Sequence, residues 1–564
     1  MASFKNRRGL ALAAGFLLGS PGAPSSQEVT PARLEHAGSE PQNWLTYGGN
    51  YQSWRHSPLD QIDTGSVKRL KVAWAFQLGD VSMGLQSTPL VDGGILYVIG
   101  PKNRVFALDA ATGKRLWHYF YPMPAKLLAY GHQNRGLALG HGNVYFGTVD
   151  NFVVALDAKT GEEIFKVEVE DSSYFGCNIT GAPIVVKDTV IVGSTGGDSA
   201  HRGHIVAFDA KTGKKRWRFN TIPGPGEEGN ETWAGDSWKH GGGAAWMTGS
   251  YDPDLDLLYW GIGNPAADLY GEARKGQNLY TDCVVALDPD TGEVAWHYQE
   301  IPHDVWDYDS AYETILIDTV LDGRERKLLV HPNKGGYMYV LDRTSGDFVA
   351  AWAFSETINW TTGLDEKGIP QNRREPVLDA ATLICPNAAG ARSWNQASYH
   401  PGAKLLFNPA MEWCSMVTAR KQEPKMGEVF LGGEFGPVVA PPGREVTSRL
   451  AAHDPVTGEI RWSRATRYPV LSSILSTGGN LVFYGDPEGW FYALDARSGN
   501  ELFRFNTGAG HRGSPITYAV GGRQFVVTPS GWGSIVSGWY PVLWPETEAL
   551  TAGATLFAFT LAEN

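Results

Sequence analysis

Apolar residues in this chain fall into short runs separated by turn-forming clusters, and one such unit recurs. Val105-Phe-Ala-Leu-Asp109-Ala-Ala-Thr-Gly113-Lys-Arg-Leu-Trp117 joins a β-rich run to a second run through an Asp-to-Gly turn. Related turns begin at Asp157, Asp209, Asp288, Asp342, Asp454 and Asp495 and end at Gly161, Gly213, Gly292, Gly346, Gly458 and Gly499. The run after the turn often carries an aromatic: Trp117, Phe165, Trp217, Trp296, Trp462 or Phe503. Each unit predicts a β-hairpin, because Asp can bond its own turn backbone and Gly supplies a positive φ. The Asp-to-Asp steps of 48, 52, 79, 54, 112 and 41 residues approximate one four-stranded propeller blade, with insertions in the long steps.

Seven hairpins leave closure to be explained. Thr555-Leu-Phe-Ala-Phe-Thr560 resembles the run before a turn, and Leu70-Lys-Val-Ala-Trp-Ala-Phe76 the run after one. The two termini therefore predict a shared eighth blade, which would protect the sheet edges of an otherwise open array. The expected fold is all-β, an eight-bladed β-propeller over 27–564; an open solenoid of hairpins is the alternative.

Composition agrees. Gly occupies 68 of 564 positions, well above the ~7% of an average chain, and there are 20 Trp. The 42% hydrophobic content disfavours disorder, and a net charge of −12 disfavours nucleic acid or an anionic membrane as the main partner. Beyond the N-terminus no apolar run is long enough to span a membrane. Residues 1–26 predict a secretory signal peptide: Lys5, Arg7 and Arg8 precede the apolar stretch from Gly9 to Leu18, followed by small residues and prolines.

The repeated Asp residues are turn formers, so chemistry must come from non-repeating segments. Three stand out: Thr195-Gly-Gly-Asp198, Gly261-Ile-Gly-Asn264-Pro265 and Pro302-His-Asp-Val-Trp-Asp307-Tyr-Asp309. Carboxylates and an amide carbonyl are hard oxygen donors of the kind that calcium-like cations prefer. No Gly-x-Gly-x-x-Gly opens a helix after a strand, the histidines lack zinc-protease spacing, and no Cys-x-x-Cys-His offers covalent haem attachment.

With these segments, the blade phrase, Pro223-Gly-Pro-Gly-Glu227, Gly263-Asn-Pro-Ala266 and Gly513-Ser-Pro-Ile-Thr-Tyr518, the chain from Trp44 to the C-terminal strand resembles the pyrroloquinoline quinone (PQQ) methanol/ethanol dehydrogenase family. The resemblance implies a propeller carrying PQQ and a metal on its axis. It implies Asp307 as catalytic base and Asp198, Asn264, Asp307 and Asp309 as metal ligands. The Asp307-Tyr-Asp309 spacing is similar to that of the lanthanide-using branch and favours a lanthanide ion over Ca²⁺, since side chains two apart on a strand point the same way. Trp246 would support the quinone, Arg135 and Lys334 would bind its carboxylates, and Thr148, Thr195 and Trp394 would complete the surround. Cys385 and Cys414 match a disulfide-bonded pair, while Cys177 and Cys283 read as isolated buried thiols.

The implied reaction is periplasmic oxidation of a primary alcohol to the aldehyde, with electrons passed to a separate soluble cytochrome c; a homodimer is left open. Three departures stand against the family pattern: Ala129 and Tyr130 replace an adjacent cysteine pair, Asp198 stands where Glu is usual, and Ser393 replaces an Asn before Trp394. A noncatalytic propeller that binds a protein partner is the alternative function.

Overall fold

The computed structural model describes residues 28–125, 131–170, 177–426 and 428–562. The signal-peptide segment and the Ala129-Tyr130 pair lie outside them. Among the described residues, eight sheets have four strands in up-and-down order, one of them with a fifth strand added. The first consists of Leu90–Asp92, Ile95–Gly100, Arg104–Asp109 and Arg115–Phe120. Four more follow between 138 and 353 with consecutive strands. In the sixth, an insertion separates the second strand, Leu405–Glu412, from the third, Thr447–His453. The seventh covers 475–506 and gains His56–Ser57 as a parallel edge strand.

The eighth sheet is built as expected from both termini. Leu70–Gln77 pairs antiparallel with Thr555–Leu561, which continues to Arg523–Ser530 and Ile516–Val520. A ninth, three-stranded sheet, made of Ala381–Ile384, Cys414–Ala419 and Gly433–Val439, was not foreseen and belongs to the long 112-residue step.

Within a sheet, burial follows position. Ile95–Gly100 is buried at every residue, whereas Leu70–Gln77 alternates between buried and open positions. A middle strand is covered by neighbouring sheets on both faces; an outer strand is covered on one. All seven Asp-to-Gly turns join a third strand to a fourth. Asp109 Oδ1 accepts from the N–H groups of Ala111 and Thr112 at 3.0 and 2.9 Å, and Gly113 has φ +71°.

The aromatic after each turn does not pack on its own hairpin. Except after the seventh turn, it covers the turn glycine of the next sheet. A Cβ on Gly292 would stand 2.5 Å from the Trp217 ring, and one on Gly113 2.7 Å from Trp74, so both a positive φ and a close ring require glycine there. Trp117, Phe165, Trp296, Trp352 and Trp462 cover Gly161, Gly213, Gly346, Gly458 and Gly499 in the same way. Six of the indoles also donate to a turn carbonyl, as Trp217 Nε1 does to Pro289 O at 2.9 Å. The contacts run from the eighth sheet to the first and on to the seventh. Phe491, Phe503 and Phe505 against Phe557 and Phe559 close the last junction of the ring.

No described helix is long and apolar enough to cross a membrane.

Candidate active site

Up-and-down strand order sorts the loops. The first-to-second and third-to-fourth turns lie at one end of the ring; the second-to-third loops and the connections into each first strand lie at the other. A cavity of about 370 Å³ opens at this second end. Asp198, Asn264 and Lys334 are on the second-to-third loops of the third, fourth and fifth sheets. Arg135, Trp246, Asp307, Asp309, Trp394 and Arg512 are on connections into first strands. One antiparallel repeat thus aims non-repeating side chains at one place.

The carboxylates gather on one side. One oxygen from each of Asp198, Asp268 and Asp307 lies within 4.8 Å of the others. Lys334 Nζ stands 2.8 Å from Asp307 Oδ1 and 2.8 Å from Asp309 Oδ2, and also donates to the Asp307 carbonyl. Asp309 Oδ1 accepts from Asn264 N at 3.2 Å and Trp246 Nε1 at 3.4 Å. Asp307 has φ +62°, a left-handed conformation that Asp tolerates better than most residues and that bulk on Cβ opposes.

A buried network behind this wall fixes both arms. Glu300 and His331 are fully buried and pair at 2.7 Å, and the other Glu300 oxygen accepts from Ser310 Oγ at 2.6 Å and Asn333 Nδ2 at 3.1 Å. Ser310 adjoins Asp309 and Asn333 adjoins Lys334, so the network holds the Asp307–Asp309 segment against the lysine.

Burial raises the Asp307 carboxyl well above its usual range; Lys334 pulls it down while Asp198 and Asp309 push it up. The part of Asp307 that is not covered looks into the cavity. Asp268 is raised well above the usual range by burial, then by Asp198 and Asp307. These carboxylates repel one another unless a cation stands among them. Two atoms fit such a cation: Asn264 Oδ1 and Asp268 Oδ2 are buried and lack a hydrogen-bond partner.

The opposite side is basic. Arg135 lies 4.8 Å over the Trp246 ring and 4.6 Å from the Trp394 ring, and donates to Thr180 Oγ1. Arg512 lies 5.1 Å from Trp394 and bonds Asn395 Oδ1 at 2.6 Å. Burial lowers Arg135 to about 10 and, with Arg135 adding repulsion, Arg512 to about 9; both stay charged at neutral pH. Among the described residues neither has a carboxylate partner, and the Nε of each is buried without an acceptor. Two uncompensated guanidiniums flanking half-buried Trp246 suit a planar, polyanionic ligand.

The cavity mouth is apolar. Val429, Leu431 and Phe435 come from the insertion of the sixth sheet, and Ile535, Val536 and Trp539 from the corresponding loop of the eighth.

Of the residues expected from the sequence, Asp198, Asn264, Asp307, Asp309, Arg135, Thr195, Trp246, Lys334 and Trp394 all line the cavity. Thr148 is not among the lining residues: its buried hydroxyl accepts from Phe152 N at 2.8 Å and holds the second-to-third turn of its own sheet. Thr180 supplies the hydroxyl beside Arg135 instead. Ser393 also faces the cavity, 3.5 Å from Arg512. Cys385 and Cys414 form a disulfide with Cα atoms 4.4 Å apart, and Cys177 and Cys283 are buried outside any disulfide. Asp268 and Arg512 went unforeseen. Arg512 immediately precedes the noted Gly513-Ser-Pro string, which was its one available signal.

The family model for the β-propeller domain of PQQ glucose/ethanol/alcohol dehydrogenases matches residues 44–356 and 447–526. The chain belongs to the PQQ-dependent alcohol dehydrogenase family. The unmatched stretch between the two segments contains the ninth sheet and half of the apolar mouth. This dehydrogenase is 35% identical to the quinoprotein alcohol dehydrogenase PedH of Pseudomonas putida, over 98% of this chain and 96% of the relative. Among solved structures it is similar to the quinohemoprotein alcohol dehydrogenase ADHIIG of Pseudomonas putida, with TM-score 0.88, 34% identity and coverage of 95% and 82% of the two chains. It is also similar to a europium-containing methanol dehydrogenase, with TM-score 0.87, 32% identity and coverage of 94% and 100%.

Proposed function

We propose that this dehydrogenase oxidises a primary alcohol to the aldehyde at the cavity, in the periplasm, and passes the electrons to a separate soluble cytochrome c. The observation that carries the reading is the division of one cavity into a carboxylate side and a side of unpaired guanidiniums around Trp246. Arg135, Arg512 and Lys334 would hold the carboxylates of PQQ, and Asp198, Asn264, Asp307 and Asp309 the metal ion. When bound, the pair supplies a two-electron acceptor and Lewis acidity.

The protein's own groups do the rest. Asp307 takes the hydroxyl proton, and Lys334 fixes the orientation of that carboxylate while stabilising its ionised form. Val429, Leu431, Phe435 and Trp539 receive the carbon end of the alcohol and exclude water. The lack of a haem-attachment motif supports an acceptor on another protein.

The excess of carboxylate supports a lanthanide over Ca²⁺. Reconstitution of the purified protein with PQQ and either LaCl₃ or CaCl₂, assayed with a redox dye on a panel of alcohols, tests the proposal. Activity is expected with lanthanum and weaker activity with calcium, and Asp309→Ala is expected to shift the preference toward calcium. Equal activity with both ions, unchanged by that substitution, would remove Asp309 from the metal site.

A further inference from the structure

We infer that Asp268 is a ligand of the metal ion, an additional carboxylate in a cation site of this chain; the inference rests on the reading that the cavity holds a cation. Asp268 is 0% exposed, and one of its oxygens lies in the 4.8 Å cluster with Asp198 and Asp307. Its Oδ1 accepts from Asn264 Nδ2 at 3.1 Å, and its Oδ2 has no partner. A buried carboxylate oxygen left bare is costly and calls for a proton or a cation.

The neighbouring bases do not serve it. Arg274 spends its donors on the carbonyls of Ala267 and Asp304 and on Asn278 Oδ1. Lys334 is engaged by Asp307 and Asp309. Asp268 is nonetheless held in place, because Ala266 N donates to Gly241 O at 3.0 Å and Leu269 N to Leu431 O at 2.8 Å.

Asn264, which is not acidic, gives an independent sign. Its amide nitrogen faces both Asp268 Oδ1 and, at 3.5 Å, Asp198 Oδ1, while its carbonyl oxygen is buried with no donor. A half-turn of the amide exchanges the two atoms and turns a carbonyl oxygen toward the same carboxylates, as a cation between them requires. Asp309, by contrast, has both oxygens occupied by Lys334, Asn264 N and Trp246 Nε1. Asp198, Asp268 and Asp307 therefore form the tightest cluster, and Asp309, held beside it by these donors, is the fourth carboxylate of the site. Four carboxylates against one ammonium leave three formal negative charges, the number that a trivalent ion neutralises.

Europium(III) chloride, lanthanum(III) chloride and calcium chloride titrated into the full-length, PQQ-supplemented protein and its Asp268→Asn variant test this. Binding is followed calorimetrically, and europium luminescence decay in H₂O and D₂O counts coordinated waters. The variant should bind lanthanum at least tenfold more weakly, with a smaller loss for calcium, and its bound europium should gain at least one water. Melting curves give a second readout: without metal, Asp268→Asn should melt higher than the parent, because one repelled carboxylate is gone, and with lanthanum it should melt lower. Unchanged affinity and hydration in the variant would overturn the role of Asp268. If the parent protein itself took up no cation, the metal reading would fall and Asp268 with it.

Discussion

At the turn end of the ring, six of the seven Asp carboxylates sit near solvent and accept from N–H groups two and three residues ahead, and Asp342 accepts from the N–H and hydroxyl of Thr344; at the cavity end, Asp268, Asp307 and Asp309 are largely covered and face one another or a single lysine. The same strand repeat builds both. At the first end the turn carboxylate is satisfied largely within its own hairpin, and the aromatic of the preceding sheet shields the turn. At the second, loops of unequal length bring together charges that no local rule pairs. Stability is concentrated where the sequence repeats, and chemistry where it departs from the repeat.

Removing the central charge of the cavity gives the largest expected effect. Asp307→Asn should lower kcat by about 10³-fold or more, the upper part of the range for loss of a general base. The metal-free fold should persist, because burial and neighbouring carboxylates already disfavour the charge that is deleted. Near-normal turnover in the variant would assign proton removal to another group. A variant that failed to fold would show that Asp307 also holds the ring together and that the two ends are not separable.

Tryptophans sharpen the same contrast. Trp217→Ala removes a ring that covers Gly292 and donates to Pro289 O, and should destabilise the protein by about 3–5 kcal/mol with kcat unchanged in the surviving fold. Trp246→Ala, in the cavity, should do the opposite: a small change in melting temperature and a loss of PQQ binding, read by quinone fluorescence or absorbance titration. Similar effects from both would show that cofactor support and ring closure share one structure.

The turn end was legible in the sequence because its causes are local. Asp109, Thr112 and Gly113 interact within five residues, so their spacing survives as a pattern. The closure by Leu70–Gln77 and Thr555–Leu561 was legible for a related reason, each terminus being half of a known unit. That Trp217 covers the next turn rather than its own was not, since the pattern fixes the residue but not the neighbour it meets. The cavity was legible only where resemblance supplied the roles. Asp268 and Arg512 sit in no repeated phrase, and their importance arises from what the fold brings beside them. Thr148 shows the converse: a hydroxyl in the right kind of loop that turns back to bond Phe152.

The disulfide lies between the two regimes. Cys385 and Cys414 brace the ninth sheet against the segment carrying Ala388, Ala389, Ser393 and Trp394, which lines the cavity. Closing a segment with 29 residues of separation is worth roughly 3 kcal/mol on a chain-entropy argument. Replacing both cysteines by Ser should lower stability by about that amount and raise KM for the alcohol more than it lowers kcat. Non-reducing peptide mapping of exported protein should recover the linked pair. Two free thiols there would break the connection between insertion and cavity wall.

The smallest effect tests whether the turn end is as independent as its geometry implies. Asp209 accepts from Thr212 N, Lys211 N and the Thr212 hydroxyl, and Arg216 stands 2.7 Å from its outer oxygen. Arg216 first, then these turn donors, hold the carboxyl well below its ordinary value of 3.8. A carboxyl depressed by folding stabilises the native state above its unfolded pKa, and that contribution is lost as pH falls through the folded value. Asp209→Ala should therefore lower stability by about 1 kcal/mol at neutral pH, the usual worth of such a bond set near solvent. The gap between variant and parent should close as the pH is taken below 3.8, while alcohol turnover and lanthanum affinity at neutral pH stay at parental values. Loss of turnover or of metal affinity in Asp209→Ala would mean that strain at one turn crosses the sheet to the cavity, and the division between the two ends would not hold.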